Sequence, residues 1–375
     1  MKVTRSNIRR IVAAVVATGL AAGVFVTVAT PASAKKLKVA LIVVGTENDR
    51  SWSNAWSNGA KQAAKQFGSK IDLKIVGNVV QPDQFLAQGS AFGSQGYDLV
   101  IKGGGPTSFT PKDPIYVLAQ KFPKTTWIYA PLAFPGGKGP TTGPSNLYFA
   151  DIKQQDGSFR AGVLAGMLTK TNKLGAVNGF AFPALTRQPE GFVLGARCVN
   201  SKVQFVQKYI NSWADTALAS AAAKTMMQSG ADFLFAAVDS ASQGMFEAAK
   251  QKPGTYVIPS YFDDHFEAPS VVLTSVIYNL DKVGYDLIKR FVNHQLPPHW
   301  YHVYDFANFG VGHFAPFYNL DSAVTPAATA ELAKVDAAIR AGKIKIPDVI
   351  GSPNIGVVGA GTKIPVQSIG CTPVR

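Results

Sequence analysis

Beyond residue 34 the chain alternates short runs rich in Val, Ile and Leu with longer stretches of helical periodicity, and this rhythm restricts the fold more than any other feature of the sequence. The runs "LKVALIVV" (37–44), "IDLKIVG" (71–77), "YDLVIKGGG" (97–105) and "TTWIYA" (125–130) have the near-continuous apolar character of strands buried on both faces. Between them, residues 54–67, 82–95 and 113–122 are expected to be helices, the second opening on Pro82 and Asp83, which suit a first turn. After the Pro/Gly-rich break 131–146 the alternation restarts. "KLGAVNGF", "VQFVQKYI", "ADFLFAAV" and "GTYVIPSY" are expected strands, and 157–171, 188–198, 216–229 and 243–251 expected helices. Two such series predict an α/β protein with two doubly wound, Rossmann-like lobes. A further strand "SVVLTSVIY" (270–278), a helix over 281–293 and an aromatic stretch (299–320) are left over, so the chain is expected to cross between the lobes more than once and form a hinge. The expected division is lobe 1 over 35–135 with a return segment 264–295, lobe 2 over 136–263 with a return segment 296–322, and a C-terminal helix (325–342) and tail to 375.

The first 34 residues stand apart. A basic start, "MKVTRSNIRR", an apolar run and the ending "PASA" have the form of a secretory leader cleaved after Ala34. An uncleaved anchor is opposed by Pro31 and the small residues at the cleavage positions. A periplasmic location is expected. Lys2, Arg5, Arg9 and Arg10 lie in the leader, and the 33 remaining basic side chains against 23 acids leave about +10. These charges are scattered rather than clustered in a stripe with interleaved aromatics, which argues against nucleic acid as a partner. Two cysteines, Cys198 and Cys371, can pair in an oxidising compartment or stand as separate thiols, and both readings stay open.

Ligands of open α/β sheets bind at the carboxyl ends of the strands. The segments that would line such a cleft are 45–53, 103–110, 130–146, 180–189, 211–215, 238–243 and 260–266. They offer little catalytic machinery. The five histidines lack metal-binding spacing, "KGGGPTS" (102–108) lacks the phosphate-loop ending, and no G-x-S-x-G elbow is present. Gly104 within that glycine run is expected to let backbone approach a ligand. No metal and no cofactor is expected. What recurs is a flat aromatic beside polar groups: Trp52 with Asp49 and Asn54, Trp213 with Asn211 and Asp215, Tyr261 with Asp263. Stacked rings with a few donors and acceptors at the ligand's edge bind without breaking a bond.

Several stretches resemble the basic membrane protein (BMP) or PnrA-like family of ABC importer substrate-binding proteins. They are "DRSWSNAWSNGAKQAAKQFG", "NLYFADIKQQDGSFRAGVLAGMLTKTNKLGAV", "EGFVLGARCVN", "NSWADTALASAAAKTMMQSGADFLFAA", "VVLTSVIYNLDKVGYDLI" and "VGHFAPFYNLDS", in the family's order over residues 38 to about 322. The resemblance implies a periplasmic-binding-protein type I-like fold with a multi-strand hinge, a ligand captured by hinge closure, and a permease and an ATPase as partners. It also assigns candidate ligand residues. Asp49, Ser51 and Asn54 keep the polar groups of the first loop, and Trp52 stands where a stacking Phe is usual. Trp213 and Asp215 match an aromatic and an aspartate of one loop, Phe192 an aromatic of the second lobe, and Asp263 an acid after "YVIPS".

Three departures bear on the ligand. A strand-end aspartate of nucleoside-binding members falls on Ala130, an acid on Tyr261 and a lysine on Tyr278. In the family these charged groups are associated with ribose hydroxyls, and their loss disfavours a sugar. The expected ligand is a planar heterocycle such as a purine base held between Trp52 and Trp213, with ring-edge donors met by Asp49, Asn54 and Asp263. A nucleoside importer component is the nearest alternative, and a hydrolase acting on such a ligand or a sensor protein are those of other classes. A monomer is expected.

Overall fold

The structure, a computed structural model, describes residues 35–105, 110–132, 134, 138–181, 183–347 and 364–375. The expected leader (1–34) and much of the tail beyond the last helix lie outside the described residues. The first series runs β1 (Leu37–Val43), α1 (Trp52–Phe67), β2 (Ile71–Val76), α2 (Pro82–Ser94), β3 (Leu99–Gly103), α3 (Pro114–Lys121), β4 (Thr126–Ala130) and β5 (Leu147–Ile152). The second runs α4 (Gln154–Leu168), β6 (Lys173–Asn178), α5 (Pro183–Val199), β7 (Gln204–Tyr209), α6 (Thr216–Gln228), β8 (Phe233–Ala237), α7 (Ser242–Lys250) and β9 (Tyr256–Pro259). Helix starts follow local chemistry. Asp113 and Asp215 accept bonds from Ile115 N and Leu218 N, and Pro82 and Pro114 occupy first turns where no N–H is needed.

The strands form two parallel sheets. The first has the order β2-β1-β3-β4-β5-β11, where β11 is Tyr301–Tyr304, and the second the order β7-β6-β8-β9. Leu41 pairs with Ile75 on one side and Ile101 on the other, so β1 is an inner strand of the sheet. Val39–Val43 of β1 and all of β3 are buried, as the unbroken apolar runs require, while β2 at the sheet edge is largely half-buried or exposed. Between the sheets pass β10 (Val276–Ile277), α8 (Leu280–Val292), α9 (Phe306–Phe309) and β12 (His313–Phe314), before α10 (Pro326–Arg340). Helix α8 packs on α1 in the first lobe, and α10 packs on α4.

Sheet membership differs from the expected division at two places. Residues 147–152, placed in lobe 2 by the break at 131–146, pair with β4 in the first sheet. The aromatic strand Tyr301–Tyr304, expected to return to lobe 2, pairs in parallel with β5 at the edge of that same sheet. The Pro/Gly-rich segment therefore precedes the last inner strand of the first lobe and is not the boundary between lobes. Of the strand expected over 270–278, only Val276–Ile277 form a ladder, antiparallel to β12. The chain thus crosses between lobes three times, after β5, after β9 and after β11.

Cys198, at the end of α5, and Cys371 are joined by a disulfide that ties the tail to the second lobe. At the first crossing, Arg187 of α5 donates from Nη2 to Asp151 Oδ1 at 2.7 Å and from Nη1 to Oδ2 at 3.1 Å, and Nη2 also donates to Ile152 O. Both side chains are 2% exposed. A bidentate guanidinium–carboxylate pair so placed fixes the end of a lobe 1 strand to a lobe 2 helix. In Asp151→Ala the guanidinium stays buried without its counter-charge, and the expected loss is about 3–5 kcal/mol of stability. A shift of the urea midpoint at unchanged m would measure it, and a loss below about 1 kcal/mol would show that the pair does not hold the crossing.

Candidate ligand-binding cleft

The carboxyl ends of the two sheets face one another across a narrow cavity of about 40 Å³, room for the centres of only a few waters. Its walls come from both lobes. Trp52, Gly104 and Tyr129 belong to the first, and Trp213, Asp239 and Tyr261 to the second. Each tryptophan is seated over a glycine just past a strand of its own lobe. A Cβ on Gly104, after β3, would lie 2.8 Å from Trp52 Nε1, and one on Gly179, after β6, would lie 2.1 Å from the Trp213 ring. Trp52 Nε1 donates to Gly103 O at 2.8 Å, and Trp213 packs on Phe180 at 4.9 Å between centroids. Side chains larger than hydrogen at those two glycines would push the indoles off the strand ends.

Contacts across the cleft show the lobes drawn together. The Tyr261 ring meets Trp52 edge-on at 5.5 Å. Ser51 Oγ donates to Asp239 Oδ1 at 2.6 Å, and Arg50 pairs with Glu267. Three of these residues hold positive φ: Arg50 at 52°, Asp239 at 46° and Tyr261 at 85°. For a bulky aromatic this is a sparsely populated conformation, of the kind that clusters at binding sites. Asp239 keeps some exposed area, yet burial pushes its carboxyl up to about 7 against the stabilising Ser51 hydroxyl, with the Asp49 charge adding to the rise. Behind Tyr261 lies a satisfied polar network. Gln188 Nε2 donates to Tyr261 OH at 2.9 Å, while Gln188 Oε1 accepts from Tyr278 OH at 3.2 Å and Ser260 Oγ at 3.3 Å.

The residues singled out in the sequence divide into three groups. Trp52, Gly104, Trp213 and Tyr261 line the cavity. Ser51 stands one bond behind it, through Asp239, and Tyr278 two bonds behind it, through Gln188 and Tyr261. The others have partners elsewhere. Asp49 accepts from the backbone N–H groups of Ser51, Ser53 and Asn54 and so caps α1. Asn54 donates to Glu47 O at 2.6 Å, and Asp215 caps α6. Asp263 accepts from Tyr318 OH at 2.5 Å and His265 N at 3.1 Å. Phe192 is fully buried in the second lobe, stacked on Phe235 at 5.2 Å. Of the three departures from the family pattern, Ala130 ends β4 beside Pro131 at the cavity wall, and Tyr261 and Tyr278 are both buried. Among the lining residues that the sequence reading did not single out are a carboxylate and an amide, Asp239 and Gln154. Asp239 lies in an expected cleft segment but has no aromatic neighbour to mark it. Gln154 follows β5, whose place in the first sheet was not anticipated, and its polar run "KQQD" has the look of a solvated helix start.

The profile of the family described as Bmp, ABC transporter substrate-binding protein PnrA-like, matches residues 36–350. Basic membrane protein D of Borreliella burgdorferi (strain JD1) is 31% identical over 150 residues, 40% of this chain and 44% of that protein, so the chain spans less than half the length of that relative. The ABC transporter nucleoside-binding protein BmpA of Lactococcus lactis subsp. cremoris is 26% identical over 269 residues, 68% of this chain and 72% of its own. Among solved structures, an ABC transporter system solute-binding protein from Aeropyrum pernix K1 superposes with a TM-score of 0.69 at 18% identity, covering 82% of this chain and 92% of that one, a likeness of fold. The chain therefore belongs to the PnrA-like family of ABC transporter substrate-binding proteins, which are binding proteins rather than enzymes.

Proposed function

We propose that the protein is the periplasmic solute-binding component of an ABC importer, that it acts as a monomer after loss of its leader, and that it captures a planar, sugar-free heterocycle such as a purine base. The observation that carries this reading is the aromatic cavity itself, with Trp52 on one lobe and Trp213 and Tyr261 on the other. In an open form the ring docks on one lobe. The other lobe then swings over, water leaves, and the closed molecule is what a permease and its ATPase recognise. With walls from both lobes and direct contacts across it, the cavity is entered when the lobes part, and they close again around the three crossings. Absence of the charged groups at Ala130, Tyr261 and Tyr278 favours a ligand without ribose hydroxyls. The nucleoside-binding BmpA of Lactococcus lactis favours the second reading, a nucleoside. Purine bases binding at least tenfold tighter than their nucleosides in a titration series would support the first, and the reverse order would establish the second.

Two further outcomes are expected. Trp52→Ala should weaken binding of the ring by about 1–3 kcal/mol, as stacked bases lose on removal of their aromatic platform, while Trp52→Phe retains most of it; unchanged affinity in the alanine variant would end the stacking role. The second concerns pH. In the closed cleft the Asp239 carboxyl sits at about 7, whereas in an open cleft it returns toward the ordinary range of about 4. Closure then takes up a proton between those values. Affinity for an uncharged ring should fall as pH rises from about 4 toward 7, by at most about tenfold per unit, and level off above. Asp49 and Ser51 from the loop before α1 and Tyr261 beyond β9 are the groups that couple to this carboxyl. Asp156 and Asp264 are also held near 7 by burial, so the slope lost in Asp239→Asn, read by calorimetry across this range, isolates the cleft residue.

A further inference from the structure

Three consecutive polar side chains, Gln154, Gln155 and Asp156, open α4 and are all buried. Two of them hold neighbouring segments. Gln155 Nε2 donates to Pro347 O at 3.2 Å, and Asp156 accepts from the backbone N–H of Phe306 at 3.1 Å. Gln154 is different. It is 0% exposed, it lines the cavity between the lobes, and neither Oε1 nor Nε2 has a hydrogen-bond partner. Gln188, a buried glutamine behind the cavity wall, uses both amide atoms on Ser260, Tyr261 and Tyr278. A buried amide left without partners on both atoms is costly and calls for a reason.

Water is a poor reason here. A buried water needs several polar partners. Around this cavity the Trp52 N–H is already bonded to Gly103 O, the Tyr129 hydroxyl to Gly105 O and the Asp239 carboxylate, through Oδ1, to the Ser51 hydroxyl of the opposite lobe. Much of the remaining wall is apolar, including Val44, Val80, Pro131 and Leu185. We infer that Gln154 is the specificity-determining residue of the cleft and that it reads a ligand edge carrying a hydrogen-bond donor and an acceptor side by side, as in a lactam or amidine. A primary amide offers one N–H and one C=O in a plane and pairs with such an edge through two parallel bonds, the geometry by which Gln reads the edge of adenine. The amide can flip, so either order of donor and acceptor fits, and a ring lacking the pair leaves it unsatisfied. The backbone of this residue is held from both sides: Lys153 N bonds to Tyr304 O in β11, and Gln155 and Asp156 are tethered as above.

This inference rests on the reading of the cleft as a site for a planar ring, and one experiment separates the two. Hypoxanthine, 1-methylhypoxanthine and 9-methylhypoxanthine are titrated into the wild-type protein and into Gln154→Leu, a near-isosteric change. Each methyl group removes the donor of one donor–acceptor edge. In the wild type, one of the two methylations should cost at least tenfold, and in Gln154→Leu the same methylation should cost at least tenfold less than it does in the wild type. Removal of an unsatisfied amide should also raise the Tm of the ligand-free protein, so a folding defect would be visible independently and would itself assign Gln154 to the scaffold. Methylation costs that are equal in both proteins would overturn the role of Gln154 while leaving the ring site intact. Absence of binding by all three rings to the wild type would remove the ring site and the inference with it.

Discussion

The Arg187–Asp151 pair sits where the two halves of the molecule are joined, and the geometry of the cleft follows from it. Asp151 is near the end of the fifth strand, Gln154 begins the next helix three residues on, and Gln188 adjoins Arg187 in the helix after that. A buried ion pair contributes little net stability compared with an apolar replacement, but its directional bonds admit few alternative arrangements. Here those bonds set one glutamine against the cavity and the other against the tyrosines behind it. The Asp151 carboxylate also meets the guanidinium at a point where the chain leaves one sheet for the other, so the position of the second lobe's long helix is registered against the first lobe's edge.

Around that joint the two lobes repeat one solution. Each ends an inner strand in glycine-permitted space and lays against it an indole from the start of a helix or the loop before one, so that the aromatic wall rests on strand ends. The polar complement is sparse. Asp239 approaches Ser51 of the opposite lobe and is held near neutrality by its burial. Such a group is sensitive to how nearly the lobes meet, because a carboxyl returned to water recovers its ordinary acidity.

Helices and strands were legible in the sequence because their periods are local. The parallel sheets and the two-lobed plan came from the same signal. Which sheet a strand joins was not legible, since Leu147–Ile152 is buried on both faces and would suit either sheet equally. The aromatics of the cleft were legible as flat side chains at strand ends. The polar residues beside them were ambiguous for a physical reason: Asp and Asn suit both ligand edges and helix N-termini, and in the structure Asp49 and Asp215 cap helices. Phe192 matched a family position, yet its ring packs among Phe205 and Phe235. Gln154 gave no sign of itself, because burial of a polar helix start is decided by what packs over it. Its neighbours Gln155 and Asp156 are held by Pro347 and Phe306, both remote in sequence.

The bond between Cys198 and Cys371 closes a covalent ring of 173 residues' separation. The ring leaves the second lobe after β9, contributes α8 and β11 to the first lobe, and returns to α10 against the second. The crossings after β9 and after β11 therefore belong to one closed circuit, and the first, after β5, lies outside it. Cutting the chain once at either crossing of the circuit leaves the lobes connected by the other crossing, by the bridge and by the segment after β5. The joint between the lobes is in this sense a loop of string passed through both halves and knotted at its ends, without a single link whose loss would part them.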